Sequence, residues 1–217
     1  MQEFGCLDFE TANSRRASAC ELGYRLFQEG KPVSSAQSYI RPPVELGEFD
    51  QFNISLHGIT PEMVADAPSI AELLPALVET NDNRPIVTHN AGFDMSVIRQ
   101  ACLFFGIPLP ELEYYCTLVL ARRSFRDDPE VVSFKLESLM EHIGYEWNQE
   151  HRAVNDAQAA GHLAVFLMEK HGVDTLHDLA EELQVSPGLM GPGIDERAVS
   201  KAGRTSKWVS PEELKRR

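Results

Sequence analysis

Residues 4–10 read Phe-Gly-Cys-Leu-Asp-Phe-Glu. The run is short and mostly apolar, which predicts a buried strand. Along a strand, residues i and i+2 point to the same face. Asp8 and Glu10 therefore emerge side by side. Two like charges in an interior are costly unless cations compensate them. The alternative is a strand that ends here, with both acids in water. Any fold for this chain has to place this pair at a strand end, in water or beside compensating charge.

The rest of the chain supplies alternating elements. Two mixed runs at 18–28 and 33–41, separated by Glu29-Gly30-Lys31-Pro32, predict an antiparallel meander that Pro42-Pro43 ends. Residues 44–58 read as a loop. Thr60-Pro61 gives an N-cap with proline at the first helical position. Ser69 and Glu72 have capping-box spacing, and Leu73, Leu74, Leu77 and Val78 follow at helical intervals. Ile86-Val87-Thr88 predicts a short buried strand. Asp94 to Phe105 predicts a helix with Val97, Ile98, Ala101 and Phe105 on one face. Residues 112–116 predict an edge strand, and helices are expected at 117–125, 134–143, 154–170 and 175–184. This order predicts an α/β domain with a mixed sheet. The composition of Pro187-Gly188-Leu189-Met190-Gly191-Pro192-Gly193 predicts a linker. The expected division is a domain over 1–186, then a linker and basic tail over 187–217.

A chain of 217 residues can bury a core without staples. Its net charge is −13, although Arg197–Arg217 holds seven basic residues against two acids. The body is thus strongly acidic, which excludes a large basic platform for nucleic acid. Divalent ions between the protein and a phosphate backbone would lift that exclusion, because they are then the largest local charges. Cys6, Cys20, Cys102 and Cys116 form no CxxC pair, so reduced buried thiols and a cytoplasmic location are expected. The first residues, Met-Gln-Glu-Phe-Gly, do not read as a signal peptide. No apolar run reaches the ~18 residues of a membrane span, so none is expected.

Two further segments carry chemistry-bearing side chains. His89-Asn90-Ala91-Gly92-Phe93-Asp94 joins a predicted strand to a predicted helix, and His151-Arg152-Ala153-Val154-Asn155-Asp156 leads into another helix. Each has an ordinary account when taken alone. Asp94 and Asp156 are first-turn acids that suit the helix dipole, and His151 is a surface-loop histidine. His142, His162, His171, His177 and the two tryptophans suggest only core or surface roles.

Taken together and in order, the three segments resemble the DnaQ-like DEDDh family of 3′→5′ exonucleases, of which the DNA polymerase III epsilon subunit is an example. Asp8, Glu10 and Thr11 match the first motif, Asn90, Phe93 and Asp94 the second, and His151, Ala153 and Asp156 the third. The resemblance spans about residues 4–170. It implies an α/β, ribonuclease H-like fold with a mixed five-stranded sheet flanked by helices. Ser55-Leu56-His57-Gly58-Ile59-Thr60 resembles the loop that touches the terminal nucleotide. Ala12-Asn13 departs from the Thr-Gly of many relatives, a change beside the 3′ end that removes no ligand.

The resemblance implies Mg²⁺ or Mn²⁺, two ions per site, held by Asp8, Glu10, Asp94 and Asp156, all hard oxygen donors. It implies Asp8 between the two ions, Glu10 and Asp156 on the first, and Asp94 reaching the second largely through water. His151 is expected as general base, since an imidazole accepts a proton at neutral pH. Phe9, Thr11, Leu56, His57, Asn90 and Phe93 are expected to contact substrate; for Leu56 and His57 simple packing is an equal account. The expected partners are single-stranded DNA or RNA 3′ ends and a DNA polymerase subunit, with no membrane. Proofreading or repair on DNA is the leading expectation. RNA trimming and an inactive binding module are the alternatives, and circular substrate separates an exonuclease from an endonuclease. Trp208 in the tail suggests a docking helix, and a solubilising end is the other account.

Overall fold

The computed structural model describes residues 1–147 and 151–192; the basic tail, with Trp208, lies outside the described residues. A six-stranded mixed sheet forms its centre, in the order β3-β2-β1-β4-β5-β6. These strands are β1 (Phe4–Thr11), β2 (Ala19–Gln28), β3 (Lys31–Tyr39), β4 (Ile86–Thr88), β5 (Leu112–Cys116) and β6 (Gly188–Met190). The β1-β2-β3 meander is antiparallel. β4 and β5 run parallel to β1, and β6 closes the far edge antiparallel to β5.

β1 sits in the middle, and its alternation builds both layers. Leu7 and Phe9 join the core beneath α3 (Ile70–Asn81) and α4 (Asp94–Phe105). Phe4 and Cys6 join the other core, beneath α7 (Ala153–His171). Asp8 and Glu10 continue the Phe4–Cys6 face, so the acids lie where β1 runs out along α7. The smaller helices are α1 (Gln51–His57), α2 (Pro61–Val64), α5 (Thr117–Ser124), α6 (Leu136–His142) and α8 (Leu176–Glu182).

α7 lies close on the sheet because its inner face is small: Ala157, Ala160, Gly161 and Ala164 are all buried. Closest of all is its first turn. A Cβ on Gly23 of β2 would stand 2.1 Å from the carbonyl carbon of Ala153 and 2.1 Å from the amide nitrogen of Val154. Only glycine permits this approach. Gly23 pairs with Asp8 across the β1–β2 ladder, so the same contact sets α7 against the acidic end of β1.

The capping box at Ser69 and Glu72 forms as the spacing predicts, with the Ser69 amide donating to Glu72 Oε2 at 2.7 Å. Three local expectations differ from the structure. Residues 44–58 contain a helix, α1, started by Asp50 and closed by Gly58, whose amide donates to Ile54 O. Gln51-Phe52-Asn53-Ile54-Ser55-Leu56 has no clear 3.6-residue apolar stripe, and its ends are the only readable signal. Residues 112–116 form an interior strand, not an edge. The edge is β6, whose three residues composition assigns to a linker. β6 makes the sheet six-stranded instead of five. It is three residues long, too short to show a period.

Candidate active site

Asp8 and Glu10 come from β1, Asp94 from the first turn of α4, and Asp156 from the first turn of α7. His151 precedes α7. It sits in the left-handed region, φ 60°, as does Asn90, φ 64°. Non-glycine residues are uncommon there, though Asn and His are enriched among those that occur. One ligand atom each from Glu10, His151 and Asp156 lies within 4.8 Å of the others.

Asp94 is fixed from two sides and is 1% exposed. Its Oδ1 accepts from the Phe9 amide at 3.1 Å, and Oδ2 accepts from Thr88 Oγ1 at 2.5 Å. These bonds tie α4 to both β1 and β4. They hold the Asp94 carboxylate close enough to Asp8 and Glu10 to repel both.

The local electrostatics are those of a cation site. Burial, then repulsion from Asp94, Asp156, Glu10 and Glu21, holds the Asp8 carboxyl well above the usual range. Burial, then Asp156, Glu21 and Asp94, pushes Glu10 up to about 8. Burial also pushes Asp94 to about 7, against its two hydrogen bonds and nearby Arg16. Hard oxygen donors held together at this cost fit a divalent cation, which would discharge them.

A fifth acid, Glu21, is missed by motif reading. It lies on β2 opposite Glu10 and is fully buried. Its Oε1 accepts from Arg152 Nε (3.2 Å) and Nη2 (2.8 Å) and from Gln37 Nε2 (2.6 Å). Oε2 accepts from the Ala153 amide at 2.9 Å. Arg152, the N-cap of α7, makes no side-chain cap of its own. Glu21 therefore caps α7 from the neighbouring strand, and it anchors the segment between His151 and Asp156. The signal in sequence was a lone acid within an apolar strand, Ala-Cys-Glu-Leu-Gly.

A cleft of about 940 Å³ opens over the acids. Asp8, Phe9, Glu10, Asn90, His151 and Asp156 line it, with Leu56 and Phe93 as apolar walls. Leu56 is 41% exposed. Arg16 stacks over the Phe93 ring at 4.2 Å. Further wall comes from outside the three motifs: Val132, Phe134 and Leu136 precede or begin α6, and Trp147 joins them. His89 holds that wall. Its Nε2 lies 3.1 Å from Phe134 O and its Nδ1 3.0 Å from Thr117 Oγ1. A carbonyl only accepts, so Nε2 carries the proton and Nδ1 accepts from the hydroxyl. Burial lowers the His89 pKa to about 4, which keeps that tautomer neutral.

Asp94, Thr11 and His57 stand outside the cleft lining. Thr11 is buried, its carbonyl accepting from Asn53 Nδ2 at 2.8 Å. The His57 ring is 6% exposed. Its Nδ1 accepts from the Ile59 amide at 3.0 Å, and Nε2 donates to Thr11 O at 3.2 Å. For this side chain the packing account holds, and it locks α1 to the end of β1. Asn13, of the Ala12-Asn13 departure, donates to the carbonyls of Leu46 (2.7 Å) and Glu48 (2.5 Å). The departure thus pins the loop that leads to α1.

The mixed sheet with acids gathered at the end of β1 defines the fold and the candidate site, and comparison with known proteins places the chain further. The exonuclease family RNase_T matches residues 6–164; the chain belongs to this family of DnaQ-like exonucleases. It is similar to the PolC-type DNA polymerase III of Caldanaerobacter subterraneus, at 31% identity over 170 residues, 77% of this chain and 12% of that one. The chain spans about a fifth or less of the length of such curated relatives. Among solved structures, exonuclease X in complex with 5′-overhanging duplex DNA is similar at a TM-score of 0.65 and 23% identity, covering 82% of this chain and 98% of that one. The nuclease domain of 3′hExo, a DEDDh family member bound to rAMP, is similar at 0.61 and 17%, covering 78% and 92%. These likenesses show the shared fold. Family membership implies a divalent metal. Among the described residues no helix is long and apolar enough to cross a membrane.

Proposed function

We propose that this chain is a metal-dependent 3′→5′ exonuclease that takes single-stranded 3′ ends, DNA in preference to RNA, and releases nucleoside 5′-monophosphates. The observation that carries the reading is the meeting of Glu10, His151 and Asp156 at one end of a walled cleft. Asp8, Glu10, Asp94 and Asp156 would hold two Mg²⁺ or Mn²⁺ ions. When bound, such ions supply positive charge that offsets the carboxylates and polarises the scissile phosphate.

The chain's own groups do the rest. An imidazole nitrogen of His151 accepts the proton of the attacking water. Its loop is anchored through Arg152 to Glu21, so the base and Asp156 keep a common frame. Leu56 and Phe93 offer apolar surface to the last base and sugar, a sequence-tolerant contact. Leu56 and Phe134 both line the cleft, and a site that takes a free 3′ end requires a duplex end to fray before its terminal nucleotide enters. A proofreading or repair role and a polymerase partner follow from the likeness to PolC-type proteins and rest on it.

The test is digestion of 5′-labelled single-stranded DNA and matched RNA with Mg²⁺ or Mn²⁺. The expected result is a ladder shrinking from the 3′ end, faster on DNA, abolished by EDTA and strongly reduced in His151→Ala. Cutting of circular single strands, or no digestion by folded protein with metal present, would sink the reading.

A further inference from the structure

Beside the active-site cleft lies a second groove of about 610 Å³. The two share Asn90, Leu118 and Arg122, so they adjoin. Arg99 of α4, Arg122 and Arg123 of α5, and Arg126 just beyond line this groove. Among the described residues that line it there is no aspartate or glutamate. The chain as a whole has 33 acids against 20 basic residues, so four arginines gathered here run against its composition. Met95, Leu118 and Val119 give the floor an apolar surface. Past Arg126, Asp127 and Asp128 end the basic run, which bounds the groove.

We infer that this groove binds the phosphodiester backbone of the substrate strand, on the nucleotides that precede the one being removed. The inference deepens the exonuclease reading and rests on it. Guanidinium groups pair with phosphates through two parallel hydrogen bonds and stay charged at any working pH. The acidic cluster alone repels a polyanion. A strand held only at its last nucleotide would be lost after each cut, whereas contacts upstream keep it in place. Arg122 stands at the junction, 5.9 Å over the Phe134 ring of the cleft wall. A strand leaving the cleft past Asn90 enters the arginine groove directly.

The experiment compares kcat/KM on a dinucleotide, too short to reach the groove, with that on a long oligothymidylate. It uses the full chain, Arg126→Glu and the double variant Arg122→Glu/Arg126→Glu. Lys31→Glu, on the exposed edge strand β3 at the opposite side of the sheet, controls for net charge. The expected result is that the long-to-short ratio falls about tenfold or more in the groove variants and holds in Lys31→Glu. The salt dependence of oligothymidylate binding, read by fluorescence anisotropy, should flatten by ~0.7 in log–log slope for each phosphate that is no longer neutralised. Hydrolysis of both substrates with an unchanged ratio overturns the groove and leaves the exonuclease reading intact. If the wild-type chain hydrolyses neither, the exonuclease reading fails, and anisotropy then decides the groove. Oligothymidylate binding that weakens in Arg126→Glu supports it. Binding of polyglutamate but not of oligothymidylate overturns it in favour of an acidic peptide.

Discussion

Gly23→Ala tests how the fold places the site. A methyl there would meet Ala153 C and Val154 N at 2.1 Å and Ala153 O at 2.3 Å, all backbone atoms that cannot swing aside. Ordinary contact begins at 3.4 Å, so the first turn of α7 has to retreat by about 1 Å or more. That turn carries Asp156, and His151 lies just ahead of it. Overpacking of this kind costs roughly 1–3 kcal/mol, which for a chain of this size lowers Tm by on the order of 5 °C. The larger effect falls on turnover. A displacement near 1 Å at reacting groups can cost about 10²-fold in rate. The assay pairs thermal unfolding with kcat on a labelled single strand at saturating metal. Gly161→Ala, further along α7, serves as comparator. Its methyl meets the Phe27 ring at 2.3 Å and Cys6 Sγ at 2.8 Å, away from the acids. It should lower Tm similarly while kcat falls far less. Wild-type turnover in Gly23→Ala, or equal losses of kcat in both variants, would refute the argument that this contact positions the site.

Glu21→Ala leaves Arg152 and the Ala153 amide without their buried acceptor. The Arg152 side chain left behind is 37% exposed and regains water, so the cost is that of the unmet buried amide and lost bonds, about 1–3 kcal/mol. Tm should fall by on the order of 5 °C, and an unchanged Tm would exclude the anchoring role. Without metal, stability should depend on pH in an unusual direction. Glu10 and Asp94 rise on folding from 4.5 and 3.8 to about 8 and about 7, so the folded state binds more protons between those limits. Their contribution is full below pH 4 and lost as pH rises through 7 to 8. In EDTA, Tm should be several degrees lower at pH 8.5 than at pH 5, and Mg²⁺ should restore more at pH 8.5; a flat profile would contradict the buried cluster. His151→Ala should lower kcat by about 10²–10⁴-fold with little change in Tm, and a loss within threefold would remove the histidine from proton transfer.

Much of this was legible along the chain. Asp8 and Glu10 share a face because a strand has period two, and that needs no tertiary knowledge. The helix starts at Ser69 and Asp94, and the meander turn at Glu29-Gly30, are local chemistry and read from local sequence. The family motifs pointed to four carboxylates and His151, of which Glu10, His151 and Asp156 come within reach of one another; spacing within a strand or a helical turn is a property of neighbours. Other features depended on residues far apart in sequence. Glu21 and Arg152 are 131 positions apart, and nothing local to either marks the pair. β6 is a strand only because β5 offers it an open edge; its own three residues have no pattern. His57 and Leu56 are adjacent in sequence, yet the ring turns inward to Thr11 while the leucine faces the cleft. That division, like the gathering of Arg99 and Arg126 into one groove, was decided by packing. Sequence by itself determined which chemistry this protein can carry, since ligand types and their local spacing are written in the chain. Only the tertiary structure decided which groups meet, because burial and long-range hydrogen bonds are satisfied over the whole fold at once.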